Sequence, residues 1–369
     1  MKILFYTKFS AFGGAERVIA NVANMFAQNG HEVIFVVGVK TDNEHEMHSK
    51  IKVIYLNQSK ELLTNASMGT EILRTLKPIF TLRKILKKER PDVMITFVLD
   101  TIVQAVLATR SLPISLIVSL RIDPTATIAS ETRGKRRKFV LKYFFPFADG
   151  LIFQTEEARD YFSEKIKSKS VIISNLVDAR FFDIKASTEK KDIVGVGRLI
   201  PRKNWKLAIK AFSLIACDTV ENLVIYGDGV ELENLQEYAR QLDLSDRVIF
   251  AGTSNEIGNR LANARLFVFS TDYEGVPNAL IEAMILGVPC VSTMFDGGSY
   301  ESLIENGVNG ILVPKNNAEA MAEAMRKILS DKDYAESLGR NAKIKAEDFR
   351  PEKVFKQWEE YITSYSRRL

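Results

Sequence analysis

The sequence is poor in the residues on which disulfides, metal centres and histidine catalysis depend. Its two cysteines, Cys217 and Cys290, lie in apolar runs without CxxC or Cys/His spacing. They are expected to be free core thiols in a reducing compartment. The three histidines, His31, His45 and His48, fall at a strand start and in a polar loop, which suggests neither a metal cluster nor a Ser–His pair. One Asp-x-Asp occurs, Asp331–Asp333, but it sits between two helical patterns and is expected to cap a helix. No run approaches 18 uncharged apolar residues, so no membrane-spanning helix is expected. The opening MKILFYTKFSAFGGAER carries Lys8 and Arg17 and no small-residue cleavage site, so it does not read as a signal peptide. Repeats and low-complexity tracts are also missing.

What is present is a globular composition, 46% apolar and 26% charged over 369 residues. That length suits two lobes, each able to bury a core. Net charge is +5 but unevenly spread: residues 1–175 hold 26 Lys+Arg against 17 Asp+Glu, and 176–369 hold 25 against 29. The basic half points to an anionic partner: nucleic acid, a membrane surface or a phosphorylated ligand.

Short apolar runs alternate with helical spacing. Strands are expected at 2–7, 31–38, 51–56, 91–98, 113–120, 150–155 and 170–175, with a helix from Ala15 whose Val18, Ile19, Val22, Met25 and Phe26 share a face. The alternation restarts at 193–197 and continues at 222–227, 247–252, 265–270, 289–292 and 310–314. Strands apolar on both faces between helices imply parallel sheets covered on both sides. The expected domains are a first lobe over 1–183, a polar linker over 184–191 and a second lobe over 192–350. The final helix, 351–369, is expected to pack back toward the first lobe. In doubly wound sheets ligands bind beyond the carboxyl ends of the strands, which makes a cleft between the lobes the expected site.

The segment STDYEGVPNALIEAMILGVPCVST (270–293) carries the most chemistry. Glu274 lies on a Gly/Pro loop after a buried strand, and Glu282 is one turn into the following helix, on the same face as Asn278. The first-turn N–H groups of Asn278, Ala279 and Leu280 suit an anion. Two carboxylates so placed can accept from hydroxyls. In GRLIPRKNW (197–205), Arg198 and Lys203 flank a strand end, and Gly227 and Gly229 allow close backbone approach. GDGVEL lacks the third glycine of a dehydrogenase fingerprint.

These segments resemble the retaining glycosyltransferases of family 4, whose fold is called GT-B. The hallmark is two glutamates separated by seven residues, matched by Glu274 and Glu282 in EGVPNALIEAM. GGAER (13–17), IISNLVD (172–178), GVGRLIPRKNW (195–205), YGDG (226–229) and GGSYESLIENGVNGILVP (297–314) follow in the family's order. The resemblance implies two Rossmann-like lobes and transfer of a hexosyl or N-acetylhexosaminyl group from a UDP-sugar to a glycan hydroxyl. Galactose, N-acetylgalactosamine and N-acetylglucosamine are the expected sugars. It implies Arg198 and Lys203 on the donor diphosphate, Glu274 on the donor sugar and Glu282 on the ribose. Gly13 and Gly14 would lie at the donor phosphate and acceptor, Gly275, Val276 and Pro277 along the donor, and Ser254 and Ile257 beside the base. Relatives carry a first-lobe histidine near the cleft, whereas none follows residue 48 here, so Glu16, Arg121 and Asp123 are the acceptor-side candidates. No cofactor or metal is implied.

The acceptor type is a growing glycan of bacterial capsule, exopolysaccharide or lipid-linked oligosaccharide assembly, polyprenyl-diphosphate-linked in many relatives. Two basic clusters, Arg83/Lys84/Lys87/Lys88 and Arg133/Lys135/Arg136/Arg137/Lys138, are solvated faces or contacts to an anionic bilayer. The expected location is cytoplasmic, held peripherally to the inner face of the plasma membrane. The rivals are a nucleotide-sugar epimerase on the same fold and a nucleic-acid binder using the basic half. The latter requires aromatics interleaved with the cations, and VLKYFFPF (140–147) is expected to be helix core instead.

Overall fold

The computed structural model describes residues 1–9, 14–41, 45–56, 68–97, 99–121, 123–129, 134–185, 190–297 and 299–366. The chain divides into two compact units, Met1–Leu176 with Pro351–Leu369, and Val177–Arg350.

The first unit is a seven-stranded parallel sheet in the order β3-β2-β1-β4-β5-β6-β7. Its strands are β1 (Lys2–Phe9), β2 (Glu32–Val39), β3 (Lys52–Tyr55), β4 (Val93–Thr96), β5 (Ser115–Ser119), β6 (Gly150–Phe153) and β7 (Ser170–Ile172). Alternation within β1 explains how one strand serves two cores: Leu4 and Tyr6 pack on one side, Ile3 and Phe5 on the other. Each such fully buried side chain contributes about 1.5–3 kcal/mol. The helix Gly14–Gln28 buries Val18, Ile19, Val22 and Phe26 and is followed by Gly30 at φ 86°.

The terminal helix Pro351–Ser366 belongs to this unit. Val354, Phe355, Trp358, Ile362 and Tyr365 recur at helical spacing and are buried in the core that holds Ile3 and Phe5. Tyr361 Oη donates to Lys169 O at 2.7 Å and accepts from Leu151 N at 2.9 Å, tying the helix to β6.

The second unit is a six-stranded parallel sheet in the order β10-β9-β8-β11-β12-β13. The strands are β8 (Lys191–Val196), β9 (Leu223–Tyr226), β10 (Val248–Gly252), β11 (Ala264–Phe269), β12 (Cys290–Thr293) and β13 (Ile311–Val313). Strand order reverses between β8 and β11, which pair directly through Leu266↔Ile193 and Phe267↔Val194.

The expected domain boundary is corrected. Residues 177–183 join the second unit because Val177 and Phe181 bury beside Val194, Phe267 and Leu280. Residues 184–185, after the short helix Arg180–Asp183, and 190–191, at the start of β8, therefore fall in the same unit, and 186–189 of the expected linker lie outside the described residues. Cys290 is buried as expected, but Cys217, in the turn after the helix Trp205–Ser213, is exposed. Asp331 is a helix cap, its side chain accepting from Tyr334 N at 2.9 Å.

Candidate active site

The reversal of strand order puts the loops after β8 and β11 side by side, at the position where open α/β sheets bind ligands. The loop after β8 makes a 3-10 turn, Pro201–Lys203, ended by Asn204 at φ 47°. Asn204 accommodates this left-handed conformation, and its Nδ2 donates to Asp272 and Asn316, each at 2.9 Å. Trp205 Nε1 donates to Arg198 O at 3.1 Å and closes the loop. Ser270 Oγ, at the end of β11, donates to Lys203 O at 2.9 Å, and Asp272 N donates to Arg202 O at 2.9 Å. The two loops are thus bound together through their backbones.

Glu274 is the centre of the cluster. Lys203 Nζ lies 2.5 Å from its Oε1, Arg202 Nη1 2.8 Å and Thr271 Oγ1 3.0 Å. Arg202 also donates to Tyr273 O at 2.9 Å. Glu274 N donates to Asp296 O at 3.0 Å, and Lys315 pairs with Asp296 at 2.6 Å. All three side-chain donors converge on Oε1, and Oε2 takes none from the described residues.

Glu274 and Lys203 are both shifted from their usual values. Burial works against the Glu274 carboxylate, but attraction and hydrogen bonds from Lys203 and Arg202 prevail and hold it below the usual carboxylate range. Burial also pulls the Lys203 ammonium below its usual value, against the attraction of Glu274. Arg198 is exposed and pairs with no carboxylate among the described residues, while its charge still reaches Lys203. The sequence reading placed Lys203 with Arg198; the structure adds that Lys203 is already paired with Glu274. Arg202 and Thr271 were missed. Arg202 had a signal, a cation inside the same motif, but Thr271 had none.

Glu282 is buried on the helix Asn278–Ile285, which follows the loop holding Gly275, Val276 and Pro277. Pro277 is the N-cap and makes no side-chain cap, and Asn278, Ala279 and Leu280 form the first turn of the helix. Gly275 O accepts from Ser299 Oγ. Gly227 and Gly229 follow β9 at φ 151° and 159°; a Cβ there would lie 2.0 Å from Gly197 O and 2.3 Å from Leu199 O. Their first constraint is therefore the Arg198 loop itself. Ser254 accepts from Glu256 N at 3.1 Å, and half-buried Ile257 begins the helix Ile257–Ala262.

In the first unit, Gly13 lies outside the described residues, and Gly14 and Glu16 fall in the first turn of the helix Gly14–Gln28. Arg121 is not a surface contact. It is buried, its Nε on Ser119 Oγ at 2.8 Å and its Nη1 on Ile173 O at 2.9 Å, with Phe97 and Trp358 rings against the guanidinium. Burial lowers its pKa. Asp123 Oδ1 accepts from Thr125 N at 2.6 Å and starts the helix Pro124–Ala129.

Comparison with known proteins settles the family. A model described as glycosyltransferase family 4 matches residues 12–181, and one described as glycosyl transferases group 1 matches 177–345. The chain belongs to glycosyltransferase family 4. This glycosyltransferase is 26% identical over 361 residues, covering 97% of both chains, to a Campylobacter jejuni α-1,4-N-acetylgalactosaminyltransferase named for an undecaprenyl-diphosphate-linked substrate. It is 27% identical over 288 residues to an Escherichia coli UDP-Gal:GlcNAc-diphosphoundecaprenol α-1,3-galactosyltransferase, covering 71% of this chain and 72% of that one. Its GT-B fold matches sucrose-phosphate synthase from Thermosynechococcus elongatus with a TM-score of 0.85 at 18% identity, covering 100% of both chains. Anabaena HepE in complex with UDP and glucose superposes with a TM-score of 0.80 at 20% identity, covering 99% of this chain and 100% of that one.

Proposed function

We propose that the enzyme transfers a hexosyl or N-acetylhexosaminyl group from a UDP-sugar, with retention, to a hydroxyl of a glycan carried on a polyprenyl diphosphate. The observation carrying this reading is the cluster at the β8/β11 reversal. Arg202 and Lys203 share one carboxylate, and Arg198 stands near Lys203 without one of its own among the described residues, leaving surplus positive charge. A leaving diphosphate gains negative charge as the glycosidic bond breaks, and fixed cations stabilise it most in the transition state. Glu274 Oε2 accepts from a donor-sugar hydroxyl, and Glu282 from the ribose. Attack on the face the diphosphate leaves needs no enzymic base, since the departing phosphate takes the proton. The charge comes from side chains, so activity is expected to survive EDTA; among the described residues no group of three His, Cys, Asp or Glu could hold a metal ion.

The activities of these relatives support a lipid-linked acceptor and a galactose or N-acetylgalactosamine donor. Such an acceptor puts the enzyme at the cytoplasmic face of the plasma membrane, bound peripherally; among the described residues no helix is long and apolar enough to cross a bilayer. The test is a thermal-shift screen of nucleotide sugars, followed by transfer to undecaprenyl-diphosphate-linked glycans with the product anomer read by NMR. A ligand bound only by the native state raises the Tm. If no UDP-sugar shifts the Tm, or if the product has inverted configuration, the reading fails.

A further inference from the structure

The helix Gly134–Tyr143, GKRRKFVLKY, has two kinds of residue on its exposed side. Lys135, Arg136, Lys138 and Lys142 are exposed, and the helix holds no acidic residue. Phe139 and Tyr143 are exposed beside them, 54% and 50%, with ring centres 4.7 Å apart. Only Gly134, Val140 and Leu141 of this helix are buried. The expectation that VLKYFFPF is all core is corrected here: Phe145 is buried, whereas Tyr143 and Phe147 face solvent.

Further exposed apolar side chains lie on neighbouring elements. The next turn, Phe145–Phe147, leaves Phe147 54% exposed under the Arg110 guanidinium, 4.9 Å from its ring centre. Arg110 follows the helix Leu99–Thr109, on which Leu107 is exposed. Arg83, on the helix Met68–Glu89, donates to Ala108 O at 2.9 Å and Arg110 O at 2.7 Å, and so brings up exposed Phe80 one turn earlier. Arg83 is therefore a structural clamp and not a free cation of its cluster.

We propose that this face is the bilayer-docking surface of the enzyme, with Phe139, Tyr143 and Phe147 entering the headgroup region of an anionic membrane and the surrounding lysines and arginines on its lipid phosphates. The inference rests on the lipid-linked acceptor proposed above and adds the surface and its mode of binding. Aromatic rings with basic neighbours suit the interface, where one end of a side chain is apolar and the other is wet. A second copy of this chain is disfavoured, because a two-fold pairing would set one acid-free cationic helix against another. Nucleic acid is the remaining occupant. Its bases can stack on the aromatic rings, but exposed Leu107 gives it neither a stacking plane nor a hydrogen bond, whereas a bilayer takes that side chain as well.

The test is sedimentation of the full chain with phosphatidylglycerol/phosphatidylethanolamine vesicles, and with phosphatidylcholine vesicles as the uncharged control. The wild type is expected to bind the anionic vesicles and to stay partly bound at about 0.5 M salt, where attraction between exposed charges is largely screened. Phe139→Ser with Tyr143→Ser and Phe147→Ser should weaken partitioning roughly ten-fold or more and make the remainder release at physiological salt. Lys135→Glu with Arg136→Glu and Lys138→Glu should abolish it. All these positions are exposed, and an unchanged UDP-induced Tm shift in each variant shows that the fold is intact. Wild-type sedimentation of the serine variant overturns the proposal. So does failure of the wild type to bind anionic vesicles at low salt, or retention of random DNA at physiological salt without vesicle binding. A missing UDP shift with vesicle binding preserved counts instead against the donor assignment.

Discussion

Lys203 Nζ sits 2.5 Å from Glu274 Oε1, although the two residues are 71 positions apart in the chain. Arg202 meets the same oxygen at 2.8 Å. The cations of one motif are thereby fixed by the first glutamate of the other, and removing any one member disturbs the rest.

Arg198 and Lys203 should separate in experiment. Arg198→Ala is expected to lower kcat by roughly 10²–10³ with KM little changed and stability within about 0.5 kcal/mol of wild type. Lys203→Ala should lose comparable activity and also destabilise the second unit, because it strands a buried carboxylate beside Arg202 alone. Steady-state kinetics and thermal unfolding on the same preparations check this, and a stable Lys203→Ala protein would contradict the buried pairing.

Glu274 should govern the acid limb of stability. Its folded pKa lies below the usual 4.5, so the carboxylate contributes stability that is fully present above about pH 4.5. That contribution is lost as pH falls through the lower folded value. Glu274→Gln should reduce stability at pH 7 by roughly 3 kcal/mol and flatten the Tm profile below pH 4.5. A variant whose acid limb parallels the wild type would count against an ionised Glu274.

The two glutamates should divide binding from chemistry. Glu282→Ala is expected to weaken UDP binding measured by calorimetry. Glu274→Gln, which keeps an acceptor for Thr271 and the cations, should bind UDP within a few-fold of wild type and lose transfer. The reverse order would exchange their proposed roles.

Gly227→Ala tests the loop after β9. The added Cβ would lie 2.0 Å from the backbone oxygen of Gly197, so the Arg198 loop must move. The expected cost is about 2 kcal/mol or more, with loss of transfer even though residue 227 is not a cation or carboxylate. Near-normal activity would show that the loop relaxes without displacing Arg198.

The sequence by itself determined the strands, the alternation with helices and the two glutamates. These depend on local pattern: β1 and β11 are apolar at consecutive positions because each strand feeds a core on both faces, and the spacing of Glu274 and Glu282 is a property of one loop and one helix. Tertiary structure decided the pairings. Strand order brings β8 beside β11, and only then does Glu274 meet Lys203, Arg202 and Thr271. Burial likewise decided that Arg121 is held by Ile173 O and stacked on Trp358, that Arg83 clamps the carbonyls of Ala108 and Arg110, and that Phe139 and Tyr143 point outward. A cation or an aromatic ring reads the same in sequence whether its partner is solvent or a segment far along the chain, and it is the packing of that distant segment that fixes which one it meets.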